Sequence, residues 1–455
     1  MKKKEQKEVA SPNKKKKKYN QGLPVINEHA AGIDVGDTFH AAAFSNGEGS
    51  LEVSECLSFT TDLNGLVKSL KEKGITTAAM ESTGVYWLNL YLLLEEAGIE
   101  PYLVNAKHVK NVTGRKKDDT DAIWLQKLHS CGLLQKSFQP DTEIRTLRTY
   151  VRQRKNLIGL SSDSVRRMQK ALELMNLKIH VVISDILGKT GLAIVADILG
   201  GQRDVNELIK HKDRRIKASD EEIKKSLEGI WKDEYLFTLQ QAYDGYLFYQ
   251  SQIKSCDEKI KECLLQGAVK VLEGDISSLD ISIKKKPKKN QFSFNAEILL
   301  STMVGVNVCE VNGLSEVSVV ELISEIGTDM TKWKSHKHFA AWLNVAPNTK
   351  ITGGKVISSK MQKKKNSAGQ TLRMSASSLS SSKSPLGNYY RKMKARLGKK
   401  GGVVATAHKI ARIVYVMLST KQPYNESIIE NEQEKWKKQR IKYLENQLSQ
   451  LKKAS

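Results

Sequence analysis

Two short apolar stretches near the start of the chain decide the predicted fold: AAGIDVGDTFHAAAF at residues 30–44 and TTAAME at residues 76–81. The first contains two strand-like segments, Gly32–Val35 and Thr38–Phe44, joined by a tight turn. The second is a short apolar strand that ends at Glu81. A charged side chain in an apolar strand costs free energy unless a partner stabilises it. Asp34 and Glu81 are therefore candidates for a functional role.

Further strands and helices alternate around these stretches. The pattern predicts a third strand at 52–59, a helix at 63–70, a helix at 86–97, a strand at 102–105 and a helix at 118–131. This order predicts an α/β layer with a mixed sheet.

The middle of the chain has a different periodicity. Apolar residues recur every seven positions from Ile144 to Leu172, and Arg154 and Ser161 interrupt the second position of this repeat. A second seam consists of Leu239, Ala242, Tyr246, Tyr249, Ile253, Cys256, Ile260 and Cys263. Two such seams predict a long coiled-coil region, formed either as a hairpin within the chain or by pairing between subunits.

The charge is concentrated in two segments. The 455 residues include 74 Lys and Arg against 50 Asp and Glu, a net charge of +24. Residues 330–425 contain 20 Lys and Arg and no Asp or Glu, and residues 1–18 contain nine Lys against two Glu. The rest of the chain is close to neutral, so these two segments imply a polyanionic partner.

Composition also excludes several classes of protein. No apolar run approaches the roughly 20 residues of a membrane span, and the N-terminus lacks the apolar core of a signal peptide. We therefore expect a cytoplasmic protein. The five cysteines form no CxxC pair and the nine histidines form no HExxH motif, which indicates neither a disulfide framework nor a zinc site.

These patterns predict five regions. They are a disordered basic arm at 1–28, an α/β domain at 29–137, a helical coiled-coil region with its linker at 138–290, a mostly helical domain at 291–425 and a C-terminal helix at 426–455.

Four carboxylates form the first candidate site. Asp118 and Asp121 stand three apart at the start of a predicted helix, which would place them on one face. Together with Asp34 and Glu81 they would repel one another unless divalent cations neutralised them, and ligands that are all oxygen favour Mg²⁺ or Mn²⁺. Two such ions ~3.5–4 Å apart would clamp a phosphodiester. Taken singly, Asp118 and Asp121 are better explained as first-turn residues that the helix dipole favours, and Asp34 as a turn residue. Taken together with the basic segments and the strand positions, the carboxylates favour a metal site.

The segment without carboxylates forms the second candidate site. Because it cannot hold Mg²⁺ alone, its chemistry must come from hydroxyl, histidine or backbone groups. The polar loop Asn348–Lys355, followed by Ser358 and Ser359, offers either a hydroxyl nucleophile or a passive phosphate contact. The candidate nucleic-acid contacts are Lys355, Lys363, Lys364, Lys365, Arg373, Arg391, Lys392, Lys394 and Arg396.

Three motifs resemble those of one family. Gly32-Ile33-Asp34, Glu81-Ser82-Thr83-Gly84-Val85-Tyr86 and Gly114-Arg115-Lys116-Lys117-Asp118-Asp119-Thr120-Asp121-Ala122 closely resemble the transposases of the insertion sequence one-ten family. The resemblance implies an RNase H-like, RuvC-like nuclease domain whose DEDD metal ligands are Asp34, Glu81, Asp118 and Asp121.

The same resemblance implies a C-terminal transposase domain with a serine nucleophile in a Ser-Gly loop. Thr352-Gly353 stands at that place, so threonine replaces serine, although Ser358 or Ser359 remains an alternative. Val304-Gly305-Val306-Asn307 also departs from the usual Pro-Gly-Ile-Gly.

The resemblance further implies donor and target DNA, a structured guide RNA, and a homo-dimer or tetramer whose site is shared between protomers. The enzyme would act at the nucleoid. Base pairing by the RNA would read sequence, so the basic domain would need only backbone contacts. Two alternatives stay open: a metal-dependent endonuclease or junction resolvase that uses water, and an inactive relic that only binds nucleic acid.

Overall fold

The computed structural model describes residues 24–45, 50–106, 109, 120–273, 279–282, 287–362 and 366–427, with a few positions between 438 and 449. Most of the predicted basic arm, and most of the predicted C-terminal helix, lie outside these ranges. The chain divides into two compact units, Met1–Gln139 and Pro140–Ser455.

The first unit is built on a mixed five-stranded sheet. Its strands are β1 (Ala30–Val35), β2 (Phe39–Ser45), β3 (Leu51–Leu57), β4 (Thr77–Glu81) and β5 (Glu100–Val104). Their order across the sheet is β3-β2-β1-β4-β5. The first three strands pair antiparallel, whereas β1, β4 and β5 run parallel. The predicted mixed sheet is confirmed.

Helices cover both faces of this sheet. On one face, α1 (Thr60–Glu72) and α2 (Trp87–Glu96) bury a core that includes Ile33, Met80 and Leu70. On the other face, α3 (Asp121–Ser130) packs Leu125 and Leu128 against Ala79 and Val104. Because side chains alternate along a strand, neighbours such as Ala79 and Met80 enter different cores.

The second unit begins with a hairpin of two long helices, α4 (Thr142–Leu174) and α9 (Asp233–Val271). Lys270 bonds to Glu143 near one end, and Gln250 donates to Ser161 further along, so the two helices run antiparallel within one chain. The seam therefore packs inside the protomer.

The seam of α9 differs from its predicted form. Asp257 and Leu264 are buried along it, whereas the predicted Cys256 and Cys263 are only half-buried. All five cysteines lie in described parts of the chain, and all are free.

Four short helices connect the two arms of the hairpin. They are α5 (Ile179–Val182), α6 (Lys189–Leu199), α7 (Val205–Leu208) and α8 (Asp220–Leu227). Their apolar residues, among them Ile194, Leu208 and Ile223, share one core with the ends of α4 and α9.

The rest of the unit is mostly helical, as predicted. It contains α10 (Ala296–Val304), α11 (Glu316–Ile326), α12 (His336–Trp342), β6 (Lys350–Thr352), β7 (Lys355–Ser358), α13 (Ser367–Ser378) and α14 (Pro385–Thr420). The prediction of a loop at Asn348–Lys355 is wrong, since most of it forms a two-stranded hairpin.

One described helix, α14, is long and apolar enough to cross a membrane by length and composition alone. However, 44% of its apolar window is buried inside the protein, and Gly398 breaks the helix with φ 75° and ψ 173°. Buried core helices also pass this test of length and composition.

Candidate metal centre

Asp34 and Glu81 lie at the carboxyl ends of adjacent parallel strands. In the register of β1 with β4, Gly32 pairs with Ala79 and Ile33 with Met80. Asp34 and Glu81 are the next residue on each strand. They therefore stand side by side at one edge of the sheet.

Both carboxylates face the α3 side of the sheet. Ile33 and Met80 enter the α1–α2 core, whereas Ala79 enters the core under α3. Because side chains alternate, residues two positions apart share a face, so Asp34 follows Gly32 and Glu81 follows Ala79. Asp34 and Glu81 are half-buried.

Gly32 lets the start of α3 lie directly on β1. A Cβ built on Gly32 would be 2.1 Å from the backbone nitrogen of Gln126 and 2.5 Å from the carbonyl oxygen of Ala122. A glycine inside a strand is the sequence signal for such a close approach. Asp121, the first residue of α3, is therefore brought to the face that carries Asp34 and Glu81.

The predicted helix at 118–131 starts later than expected. Thr120 has the extended φ/ψ of −67° and 162° and its hydroxyl accepts from the backbone N–H of Ile123, so it caps a helix that begins at Asp121. Asp118 lies outside the described residues. That Asp118 and Asp121 share one helix face therefore stays a prediction.

The described part of the chain holds no group of three His, Cys, Asp or Glu side chains close enough to bind a metal ion. The carboxylates nevertheless fit a hard divalent cation in donor type. Asp34, Glu81 and Asp121 offer only oxygen, share one face of the sheet, and are half-buried or exposed.

His40 is a buried residue of β2 near Asp34 that the sequence did not single out, and its alternation with Ala42 and Phe44 places its side chain on the α1–α2 face of the sheet. It is 2% exposed, pairs with Val35 in the sheet, and within the described structure its Nδ1 has no hydrogen-bond partner. Burial lowers the pKa of His40, and the negative charge of Asp34 only partly opposes this. No spacing in the sequence distinguished it from other core residues.

Thr352 lies at the tip of the hairpin formed by β6 and β7. Gly353 and Gly354 make the two-residue turn with φ of 53° and 74°, and Thr352 pairs with Lys355 across it. Positive φ at both turn positions favours glycine. Thr352 and Lys355 are both exposed.

The two alternative serines lie at the far end of β7, away from the glycine turn. Ser358 pairs with Lys350, and its hydroxyl accepts from the backbone N–H of Lys360 at 3.4 Å. Ser359 is exposed. Of the three hydroxyls, Thr352 is the one beside the glycine turn.

The predicted nucleic-acid contacts fall into three groups. Lys363, Lys364 and Lys365 lie outside the described residues. Arg373 donates to the carbonyl of Asn344, and Arg391 donates to the carbonyl of Ser382 at 2.6 Å, so both guanidinium groups also brace the fold. Lys355, Lys394 and Arg396 are exposed, and burial lowers the pKa of the half-buried Lys392.

Comparison with known proteins identifies the family. A model for DEDD-type transposases of IS110 elements matches residues 31–177, and a model described as transposase IS116/IS110/IS902 family matches residues 306–391. Together the matches cover just over half of the chain, including all four candidate carboxylates and Thr352. No curated protein matches the chain. With its RuvC-like sheet domain and mostly helical C-terminal region, the chain belongs to the IS110 family of transposases, DNA-processing enzymes of mobile elements.

Proposed function

We propose that this transposase cuts and exchanges DNA strands with Mg²⁺, or Mn²⁺ in its place, held by Asp34, Glu81, Asp118 and Asp121. The observation that carries the proposal is the adjacent placement of Asp34 and Glu81 on the sheet face that also receives Asp121. The order of the four residues along the chain is the D-E-D-D order of the matched family. Asp118 enters through the sequence resemblance alone.

The carboxylates would make binding of the DNA phosphate depend on a bound cation. A bound divalent cation would polarise the scissile phosphate and stabilise the charge that develops there. Without a cation, Asp34 and Glu81 would repel a phosphate, because all three groups are negative. DNA and cation are therefore expected to bind together.

The hydroxyl of Thr352 is the proposed nucleophile. Its oxygen would form a new ester bond to phosphorus while one strand oxygen leaves with the electron pair of the broken bond. Lys355 pairs with Thr352 across the hairpin, and its positive charge would favour the deprotonated form of the Thr352 hydroxyl. Residues 330–425 contain no carboxylate, so the proton acceptor would be a histidine of this segment or a group from another part of the assembly.

The metal proposal is tested by cleavage of labelled DNA over a Mg²⁺ titration. Asp34→Asn and Glu81→Gln should each reduce cleavage by at least about 100-fold, since each removes a ligand. Glu96→Gln is the matched control, because Glu96 is exposed at the end of α2, which covers the opposite face of the sheet. Cleavage that survives chelation, or is unchanged in Asp34→Asn, would overturn the proposal.

We also propose a structured guide RNA and a homo-dimer or tetramer that acts on donor and target DNA in the cytoplasm at the nucleoid. The cation-rich segment 330–425 supports backbone contacts to nucleic acid. Exposed Phe237, Leu247 and Phe248 on α9 support pairing between protomers. Cleavage should require RNA from the flanks of the element, and its independence from RNA would contradict guidance.

A second candidate is an endonuclease or junction resolvase that uses water. It is favoured by the separation of Thr352 and the carboxylates into different units, because water would confine the chemistry to the first unit. It predicts that Thr352→Ala cleaves normally. A third possibility is an inactive relic. It predicts that the parent protein and its Asp34→Ala variant bind RNA and DNA equally well, and that the parent protein transfers no DNA strand at any Mg²⁺ concentration.

A further inference from the structure

A cavity of about 660 Å³ lies in the second unit, between α4, α9 and the loop Pro287–Gln291. Its volume is within the range of about 300–1,000 Å³ that is usual for small-molecule sites. Apolar walls come from Ile158, Val165 and Tyr246, and polar groups from Ser161 and Gln250. None of the described residues proposed for the reaction lines this cavity.

Polar pairs occupy the hairpin seam beside this cavity. Arg154 and Asp257 form an ion pair with only 4% and 8% of their side chains exposed, and Gln250 donates to Ser161 at 3.0 Å. A heptad repeat predicts apolar residues at 154 and 161. Buried polar pairs rarely improve stability over apolar packing. These interruptions of the seam are therefore candidates for a role other than packing.

Arg154 also fixes the loop that forms the mouth of the cavity. Besides Asp257, its guanidinium donates to the carbonyl of Asn290 at 3.0 Å and stacks over the ring of Phe292 at 4.4 Å. The loop thus carries Lys288 and Lys289 to a defined position at the mouth.

The lining of the cavity carries an excess of positive charge. Lys254, Lys288 and Lys289 are exposed there, and none of them has an ion pair within the described parts of the chain. Arg166 also lines the cavity and pairs with Asp163. The carboxylates in the lining are Asp185 and Asp257, and Arg154 neutralises Asp257. This balance favours an anionic ligand.

We propose that the cavity binds one phosphorylated nucleoside. Lys254, Lys288 and Lys289 would hold the phosphate, since ammonium groups bind phosphate as point charges. The base would lie on Tyr246 and between the apolar walls, with Gln250 and Ser161 facing its polar edge. The same chemistry fits a free nucleotide and a nucleotide extruded from a single strand. The inference does not depend on the proposed metal chemistry.

The test uses two variants that act differently. Lys288→Ala/Lys289→Ala removes charge from the mouth, whereas Ser162→Trp fills the cavity from an exposed position on α4. Lys170→Ala/Lys259→Ala is the matched control, because it removes the same charge from exposed positions on α4 and α9 that do not line the cavity. Equilibrium dialysis of the full chain with each nucleoside 5′-monophosphate, and with inorganic phosphate, tests binding of a free nucleotide. Crosslinking to a single strand that contains 4-thiothymidine tests binding of a nucleotide extruded from a strand.

Both cavity variants should weaken mononucleotide binding by roughly tenfold or more, and the control should not. Crosslinks at residues 158–165 or 246–254 without mononucleotide binding would support the strand as the source. The proposal is overturned if the parent protein neither binds a mononucleotide nor crosslinks at the cavity. It is also overturned if the cavity variants bind as well as the control variant. It is equally overturned if inorganic phosphate binds as well as a nucleotide and Ser162→Trp has no effect.

Discussion

His129 is the described residue whose pKa links pH most directly to the stability of the first unit. It is 2% exposed, and its Nε2 lies 2.9 Å from the hydroxyl of Thr77. Burial lowers the pKa of His129 to about 4, although Glu100 opposes the shift. The folded protein therefore keeps His129 neutral at pH values where the unfolded chain is protonated.

The direction of the pH effect follows from this difference. Between pH 6.5 and 4 the unfolded state binds a proton that the folded state does not, so the free energy of unfolding falls as pH falls. The loss from His129 should reach roughly 3 kcal/mol across this window. Urea unfolding at pH 7.5 and 4.5 should show a smaller pH effect in His129→Gln than in the parent. Equal effects in the two proteins would contradict the assignment.

Substitution of Gly32 should affect both the stability of the first unit and DNA cleavage. Gly32→Ala would place a Cβ 2.1 Å from the backbone nitrogen of Gln126, so α3 must move away from β1 and take Asp121 with it. We expect loss of both stability and DNA cleavage, measured by urea unfolding and by the cleavage assay.

Gly65→Ala is the control for Gly32→Ala. Gly65 lies on the exposed side of α1, and a Cβ added there would meet no atom within 4 Å. Alanine there should stabilise the helix by about 0.5–1 kcal/mol and leave cleavage unchanged. A harmless Gly32→Ala would show that α3 does not rest on β1 as described.

At the scale of elements, the hairpin of α4 and α9 contains a buried ion pair between Arg154 and Asp257. Asp257→Leu leaves the guanidinium of Arg154 buried without its carboxylate, which should cost about 3–5 kcal/mol of unfolding free energy. Arg154→Leu/Asp257→Leu removes both charges and should be more stable than Asp257→Leu. Guanidinium chloride unfolding measures both variants.

The exposed pair of Lys259 and Glu262 on α9 serves as the control for this cycle. Glu262→Ala should cause no measurable loss, because water already solvates both groups. A double variant less stable than Asp257→Leu would contradict this expectation, because it would show that Arg154 stabilises the hairpin even without Asp257.

The strands of the first unit could be predicted because short runs of neighbouring residues in the sequence indicate them. The strands β1, β2 and β4 are short apolar runs, and Asp34 and Glu81 are the charged residues within β1 and β4. Their side-by-side placement required the register of β1 and β4, which no local pattern contains. His40 could not be found, since an isolated histidine in a strand has no distinguishing spacing.

Other elements left no usable pattern. The hairpin of β6 and β7 exposes Ile351, Val356 and Ile357, so it lacks the alternation that burial of one face imposes. The helices α5, α7 and α8 are four, four and eight residues long, too short to establish helical periodicity. Arg154 and Ser161 did interrupt the heptads, but their partners on α9 appear only in the structure.

At the scale of the whole molecule, charge is divided between the units. The candidate carboxylates lie in Met1–Gln139, whereas the segment 330–425 with its 20 cations lies in Pro140–Ser455. The proposed reaction therefore needs groups from both units, either within a protomer or between protomers. The identity of the nucleophile decides whether both units take part in the reaction.

The most direct test looks for a covalent bond between protein and DNA. Full-length protein, labelled DNA, flanking RNA of the element and Mg²⁺ are incubated, denatured and separated, and any adduct is mapped by mass spectrometry. We predict an adduct at Thr352 that disappears in Thr352→Ala and in Asp34→Asn. Cleavage that continues in Thr352→Ala without an adduct, or an adduct outside residues 348–360, would contradict the account.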